Sequence, residues 1–118
     1  MKQIILDTET TGLSPEAGHR IIEIGAIEII DRKITDNNFQ TYLNPKRSID
    51  PGSTHIHGIT DAFVADKPEF QEIMREFLDF IKDAELVMHN APFDVAFINL
   101  ELSLAGFNKE LHEICKIK

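Results

Sequence analysis

The chain opens on an apolar run, Ile4-Ile5-Leu6, that gives way to Asp7-Thr8-Glu9-Thr10-Thr11-Gly12. This pattern predicts a buried strand over residues 2–6 that ends at an acidic, glycine-closed turn. Residues 20–30 (RIIEIGAIEII) are β-branched and rich in apolar positions, which predicts a second strand. Asp31-Arg32-Lys33 is a short polar turn, and a third strand over roughly 33–43 completes a hairpin. Residues 44–66 are expected to form a long loop, punctuated by Pro45, Pro51, Gly52 and Gly58. A loop of that length inside a compact domain usually serves a function.

Helical periodicity takes over next. Phe70, Ile73, Met74, Phe77, Leu78 and Ile81 recur at i, i+3, i+4, i+7, i+8 and i+11, predicting a helix over 69–82 whose stripe faces the core. Residues 85–88 (ELVM) form a short strand. Asn90 suits an N-cap, Pro92 a first turn and Gly106 a stop, so a second helix lies between them. It is apolar on most faces and should be largely buried. Residues 107–114 look like a polar connector, and residues 115–118 like the beginning of another strand. Strands and helices in this order describe an α/β fold, a mixed sheet with helices against it.

The length, 118 residues, fits one domain with a real core, and 42% hydrophobic content is ordinary for a globular chain. No apolar run approaches a membrane span, so no membrane partner is expected. The N-terminus leads straight into a strand without a signal-peptide pattern. Cys115 is the one cysteine, which excludes an internal disulfide and fits a reducing cytoplasm; a small buried hydrophobe is its expected role. Twenty acidic and 12 basic residues give a formal charge of −8. That balance argues against coating nucleic acid by counterion release, though not against gripping one chain end through metal ions.

Residues two apart on a strand share a face, so Asp7 and Glu9 project two carboxylates into one space. Like charges held that close favour a cation between them, and oxygen-only donors suit Mg²⁺ or Mn²⁺ better than Zn²⁺. Asp94 falls in the first turn of the second predicted helix, where a carboxylate among apolar residues needs a partner or a cation. A third acidic group near the first two would complete most of a two-metal site. Such a site, with ions about 3.5–4 Å apart, can activate water and stabilise the leaving oxygen of a phosphodiester. His57, on the long loop beside apolar Ile56, could pack a terminal base or ribose and touch its phosphate. No glycine-rich phosphate loop of the P-loop type is present.

Four segments in order, IILDTETTGL (4–13), HRIIEIGAIEII (19–30), HIHGITDAF (55–63) and ELVMHNAPFDVAFINLEL (85–102), carry a specific likeness. Together they make the chain resemble the DEDD exonucleases of the ribonuclease H-like fold, and among them the proofreading (epsilon) subunits of bacterial DNA polymerase III. The resemblance implies 3′–5′ hydrolysis of the terminal phosphodiester of DNA to nucleoside 5′-monophosphates, with two divalent ions, Mg²⁺ or Mn²⁺. It implies that Asp7 bridges both ions, that Glu9 binds the ion activating the water, and that Asp94 holds the second. Thr10, Ile56 and His57 would line the 3′-terminal nucleotide pocket, with Asn90 and Phe93 shaping it from the helix side. Single-stranded or frayed 3′ ends of DNA and the polymerase III core subunits would be the partners. A stand-alone exonuclease acting on RNA, and a catalytically dead binding module, are the alternatives.

The family pattern also has a third motif, a histidine base followed five residues later by a metal-binding aspartate. Nothing after Asp94 fills it: Ile117 stands five residues after His112. His89 and Asp94 have the right spacing but belong to the second motif. Residues 1–118 are therefore expected to be the N-terminal two-thirds of a single exonuclease domain, lacking the C-terminal strand and helices. Alone the chain is expected to be nearly or wholly inactive, a fragment of a longer exonuclease rather than a natural short form that binds without cutting. Exposed apolar sheet surface and an unpaired strand edge should accompany that loss.

Overall fold

The computed structural model describes residues 1–118. A five-stranded mixed sheet has the order β3-β2-β1-β4-β5. The central strand β1 (Lys2–Thr10) pairs antiparallel with β2 (Ile21–Ile30) along its whole length. On its other side β1 pairs parallel with β4 (Glu85–Val87), but only over Gln3, Ile4 and Ile5. The hairpin strand β3 (Lys33–Tyr42) forms one edge, and β5 (Lys116–Ile117), parallel to β4, forms the other. Asp31 and Arg32 turn the hairpin with φ of 49° and 71°, the left-handed twist that tight hairpins require. Asp31 also accepts a hydrogen bond from the N-terminal ammonium at 2.8 Å, which holds its carboxyl below the ordinary range.

Two helices, α3 (Phe70–Ile81) and α4 (Ala91–Leu104), cover one face of the sheet. Ile4, Leu6 and Ile24 from the strands meet Phe77, Phe97 and Leu102 from the helices, all at or near zero exposure. Helix α3 starts from a reciprocal cap between Glu69 and Glu72, and Gly106, at φ 86°, turns the chain out of α4. The opposite face stays open. Ile5 is 44% exposed, Ile27 42% and Ile34 73%, and cross-strand pairing puts them on one side with Asp7. No helix is long and apolar enough to cross a membrane.

Three expectations need correction. Strand β1 does not stop at residue 6 but runs to Thr10. Thr8 and Thr10 are buried and continue the inward period of Ile4 and Leu6, and β-branched threonine suits extended backbone. Residues 44–66 are not a plain loop, since they contain α1 (Pro51–His57) and α2 (Asp61–Val64). Both helices are too short to display a stripe; Ile49, Ile59 and Val64 instead bury against Ile22 in a second small core. Residues 107–114 are more than a connector. Leu111, fully buried, leads a 3₁₀ turn (Leu111–Glu113), and its N–H donates to Asn99 Oδ1 at 2.8 Å. Cys115 is 8% exposed and burial pushes its thiol up to about 11, matching the small inert hydrophobe expected.

Candidate active site

Asp7 and Glu9 leave β1 on the open face, two residues apart, with Thr8 between them pointing the other way. Asp7 is exposed and Glu9 half-buried. Asp7 Oδ1 accepts from the N–H of Thr8 at 3.0 Å, which fixes one carboxylate oxygen and leaves the other toward solvent. Burial first, and then the charge of Asp7, push the Glu9 carboxyl above its ordinary value; His57 works against that rise. A carboxylate resisting ionisation beside another carboxylate is the electrostatic signature of a site that would welcome a cation.

Asp94 sits in the first turn of α4, 5% exposed. Its Oδ1 accepts from the hydroxyl of Thr8 at 2.5 Å. Burial raises its pKa, the Thr8 bond lowers it, and Asp7 raises it again. The three carboxylates are thus electrostatically coupled, yet Asp94 is tied to the helix-facing side of β1. No group of three His, Cys, Asp or Glu side chains is placed to hold one metal ion. The donor chemistry of Asp7 and Glu9 fits a hard divalent cation, and Asp94 turns one oxygen of its carboxylate to Thr8.

His57, at the end of α1, faces this pair. Its Nδ1 accepts from the N–H of Ile59 at 3.0 Å, so the proton resides on Nε2, which donates to the carbonyl of Thr10 at 3.2 Å. Gly58, at φ 75°, ends the helix and donates to Thr54 O. Thr10 itself is buried, and its hydroxyl donates to Gly12 O at 2.6 Å, so its carbonyl rather than its side chain meets His57. Ile56 is 82% exposed and faces a cleft of about 390 Å³ together with Leu13, which is 83% exposed. Asn90 caps α4 through its carbonyl, which accepts from the N–H groups of Phe93 and Asp94, and its side chain is exposed. Phe93 packs partly into the core, its ring 4.9 Å from that of Phe97.

The expected residues therefore separate into two groups. Asp7, Glu9, Thr10, Ile56 and His57 gather around the end of β1 and α1. Asn90 and Phe93 lie on the α4 side, with Asp94 facing Thr8. Sequence reasoning missed Thr8 and Leu13. Thr8 was hidden because its neighbours carry the obvious chemistry; the strand period, which sends it to the opposite face, is the signal that would have found it. Leu13 could have been found as an aliphatic residue directly after a glycine turn.

The chain matches the exonuclease family (RNase_T) over residues 4–117. It is 48% identical over 120 residues to the DNA polymerase III subunit epsilon of Pasteurella multocida (strain Pm70), covering 98% of this chain and 47% of that protein. It is 52% identical over 107 residues to the same subunit of Escherichia coli (strain K12), covering 87% of this chain and 44% of that protein. The chain thus spans about half the length of these curated relatives. Among solved structures it is similar to exonuclease X in complex with 5′ overhanging duplex DNA, with TM-score 0.65 and 37% identity over 78% of this chain and 51% of that one. Exonuclease I superposes with TM-score 0.85 over 99% of this chain and 28% of that one, at 17% identity, a likeness of fold alone. The sheet with helices is accordingly the ribonuclease H-like fold of the DEDD exonucleases. With the acidic pair on β1 and the match running nearly end to end, the chain belongs to the exonuclease family.

Proposed function

We propose that the chain carries the metal-binding and 3′-end-binding part of a proofreading 3′–5′ exonuclease, one that hydrolyses the terminal phosphodiester of DNA to nucleoside 5′-monophosphates. The observation that carries this reading is the pairing of Asp7 with Glu9 on an open sheet face, with His57, the residue after Ile56 at the end of α1, close enough to Glu9 to favour its charged form. Divalent Mg²⁺ or Mn²⁺ held there would supply water activation and charge stabilisation at the phosphate. Asp7 and Glu9 are the residues that would hold it, with Asp94 reaching a second ion if its carboxylate leaves Thr8.

The remaining steps belong to the chain's own side chains. The apolar cleft supplies two aliphatic surfaces for the faces of a terminal base. His57, fixed as the Nε2–H tautomer, presents a donor edge where a 3′-terminal sugar or phosphate would approach, in exchange for the Thr10 carbonyl. A mispaired 3′ end enters such a cleft at lower unstacking cost than a paired one, which gives discrimination without base-specific contacts. By likeness to the epsilon subunits, the polymerase III core would be the partner delivering that end.

A second reading is binding without turnover. It is favoured by the state of His57, the imidazole beside Glu9, whose two nitrogens are both engaged and so unavailable as a general base. A missing base commonly costs about 10²–10⁴-fold in rate. Release of mononucleotide from 3′-labelled single-stranded DNA with Mn²⁺ or Mg²⁺ separates the two readings. Metal-dependent release that Asp7→Ala abolishes supports cutting by this chain. Metal-dependent binding of the same DNA without release supports the second reading, and neither binding nor release removes both.

A further inference from the structure

His19 takes no part in the chemistry above, yet it is 9% exposed and sits at the junction of three segments. Its Nδ1 meets the hydroxyl of Thr11 at 2.8 Å. That hydroxyl also accepts from the N–H of Arg20 at 3.0 Å. Nε2 lies 3.4 Å from Asp50 Oδ2, a carboxylate oxygen that can only accept, so in the neutral ring the proton sits on Nε2 and Nδ1 accepts from the Thr11 hydroxyl. The ring is pressed against Gly12 so closely that a Cβ there would stand 2.3–2.5 Å from its atoms. Only a glycine lets the imidazole lie under the turn.

Asp50 immediately precedes α1, and its own N–H donates to the carbonyl of Thr11 at 2.9 Å. Helix α1 is thereby tied to the end of β1 twice, by Asp50 at its start and by His57 on Thr10 at its finish. His19 touches both partners of the first tie.

We infer that His19 is a positioning residue for the nucleotide cleft: it braces the Thr11–Gly12 turn against Asp50 and so sets where Ile56 and His57 stand relative to Asp7 and Glu9. This rests on the proposed 3′-end-binding role of that cleft. Arg47 assists from outside, donating to the carbonyl of Gly18 at 2.9 Å with its other nitrogen 3.9 Å from Asp50. The imidazole is needed for its shape and its two opposed nitrogens. Asparagine keeps an amide oxygen near the position of Nδ1 as the acceptor toward Thr11, but its shorter side chain does not carry its NH₂ donor out to where Nε2 meets Asp50.

The test compares the wild-type chain with His19→Ala and His19→Asn by amide hydrogen exchange, and by binding of a fluorescent single-stranded oligonucleotide and of Mn²⁺ alone. His19→Ala is expected to speed exchange at Asp50 and Gly58 while leaving Ile4 and Leu6 unchanged. Oligonucleotide affinity should fall about 3- to 10-fold, the worth of roughly one buried hydrogen bond. Mn²⁺ affinity should stay level, and His19→Asn should recover part of the loss. Unchanged exchange at Asp50 and Gly58 overturns the inference, as does a loss shared equally by Ile4 and Leu6 or by Mn²⁺. If exchange changes as expected but the wild-type chain binds no oligonucleotide, His19 still braces α1, and it is the 3′-end-binding role of the cleft that falls.

Discussion

Thr8 donates its hydroxyl proton to Asp94 Oδ1 at 2.5 Å from the face of β1 opposite to Asp7 and Glu9. One residue of the acidic motif thus serves the helix side of the sheet, while its two neighbours serve the open side. This places a third carboxylate within electrostatic range of the pair, with its Oδ1 held by Thr8.

The pH dependence of stability follows from that arrangement. Burial raises the pKa of Asp94 from its ordinary 3.8, and burial and Asp7 raise that of Glu9 from 4.5. A raised carboxyl pKa means that the folded state holds its proton longer than the unfolded one. Stability is therefore fully present below the ordinary values and falls as pH climbs through the window above them. Asp94→Asn, which keeps an oxygen for Thr8, is expected to match the wild type near pH 3 and to exceed it at pH 7 without divalent ions. Urea unfolding at both pH values checks this; a less stable Asn variant at pH 7 would contradict the sign.

Divalent cations should act in the opposite direction from protons. Mn²⁺ at about 100 times its dissociation constant would stabilise the fold by ~2.7 kcal/mol if it binds the folded state alone. Asp7→Asn is expected to erase that increment while leaving metal-free stability close to wild type, because Asp7 is exposed. Thermal unfolding with and without Mn²⁺ reads both effects, and an increment that survives in Asp7→Asn would move the ion elsewhere.

The strongest single anchor lies outside the site. Glu101, 1% exposed, accepts from Arg20 Nε and a terminal guanidinium nitrogen at 2.9 and 2.7 Å, and from the N–H of Ile21 at 3.0 Å. Deleting a buried acceptor strands any donor that cannot reach water. Because Arg20 keeps 25% exposure and can turn toward water, Glu101→Ala is expected to cost about 1–3 kcal/mol, the worth of the stranded Ile21 N–H, against a smaller loss for an exposed change such as Glu16→Ala. Denaturant midpoints decide, and equal midpoints for the two variants would refute the ranking.

The open sheet face is expected to drive self-association. Ile27 and Ile34 form exposed apolar surface beside the unpaired edge of β3. Ile34→Lys should lower the sedimentation-detected oligomer fraction at high concentration, and it should do so without shifting the urea midpoint. No change in association would assign aggregation to another surface.

Long, strongly patterned elements were legible from sequence. The stripe from Phe70 to Ile81 became α3, and the Asn90, Pro92 and Gly106 signals bracketed α4. Asp7 and Glu9 were placed on one face by the two-residue period, which needs no tertiary information. The helices α1 and α2 escaped because seven and four residues are too few to show periodicity; their order comes from Ile49, Ile59 and Val64 meeting Ile22. Leu111 looked like part of a polar stretch because the apolar core that buries it is assembled from distant residues, with Asn99, twelve residues away, holding its N–H. The orientations of Asp94 and Phe93 were not legible either, since Thr8 and Phe97 decide them across the fold.

The uneven pairing of β1 has a mechanical consequence. From Gln3 to Ile5 the strand is gripped on both sides, by β2 and β4; from Asp7 onward the ladder continues only with β2. The strand behaves as a beam clamped by two ladders at its root and by one at its tip, where the Thr8–Asp94 and His57–Thr10 bonds add point supports. With one ladder fewer, the acidic tip is expected to yield before the root at Ile4 does. Two carboxylates on a compliant tip can close on an ion by small displacements that leave the packing of the clamped end undisturbed.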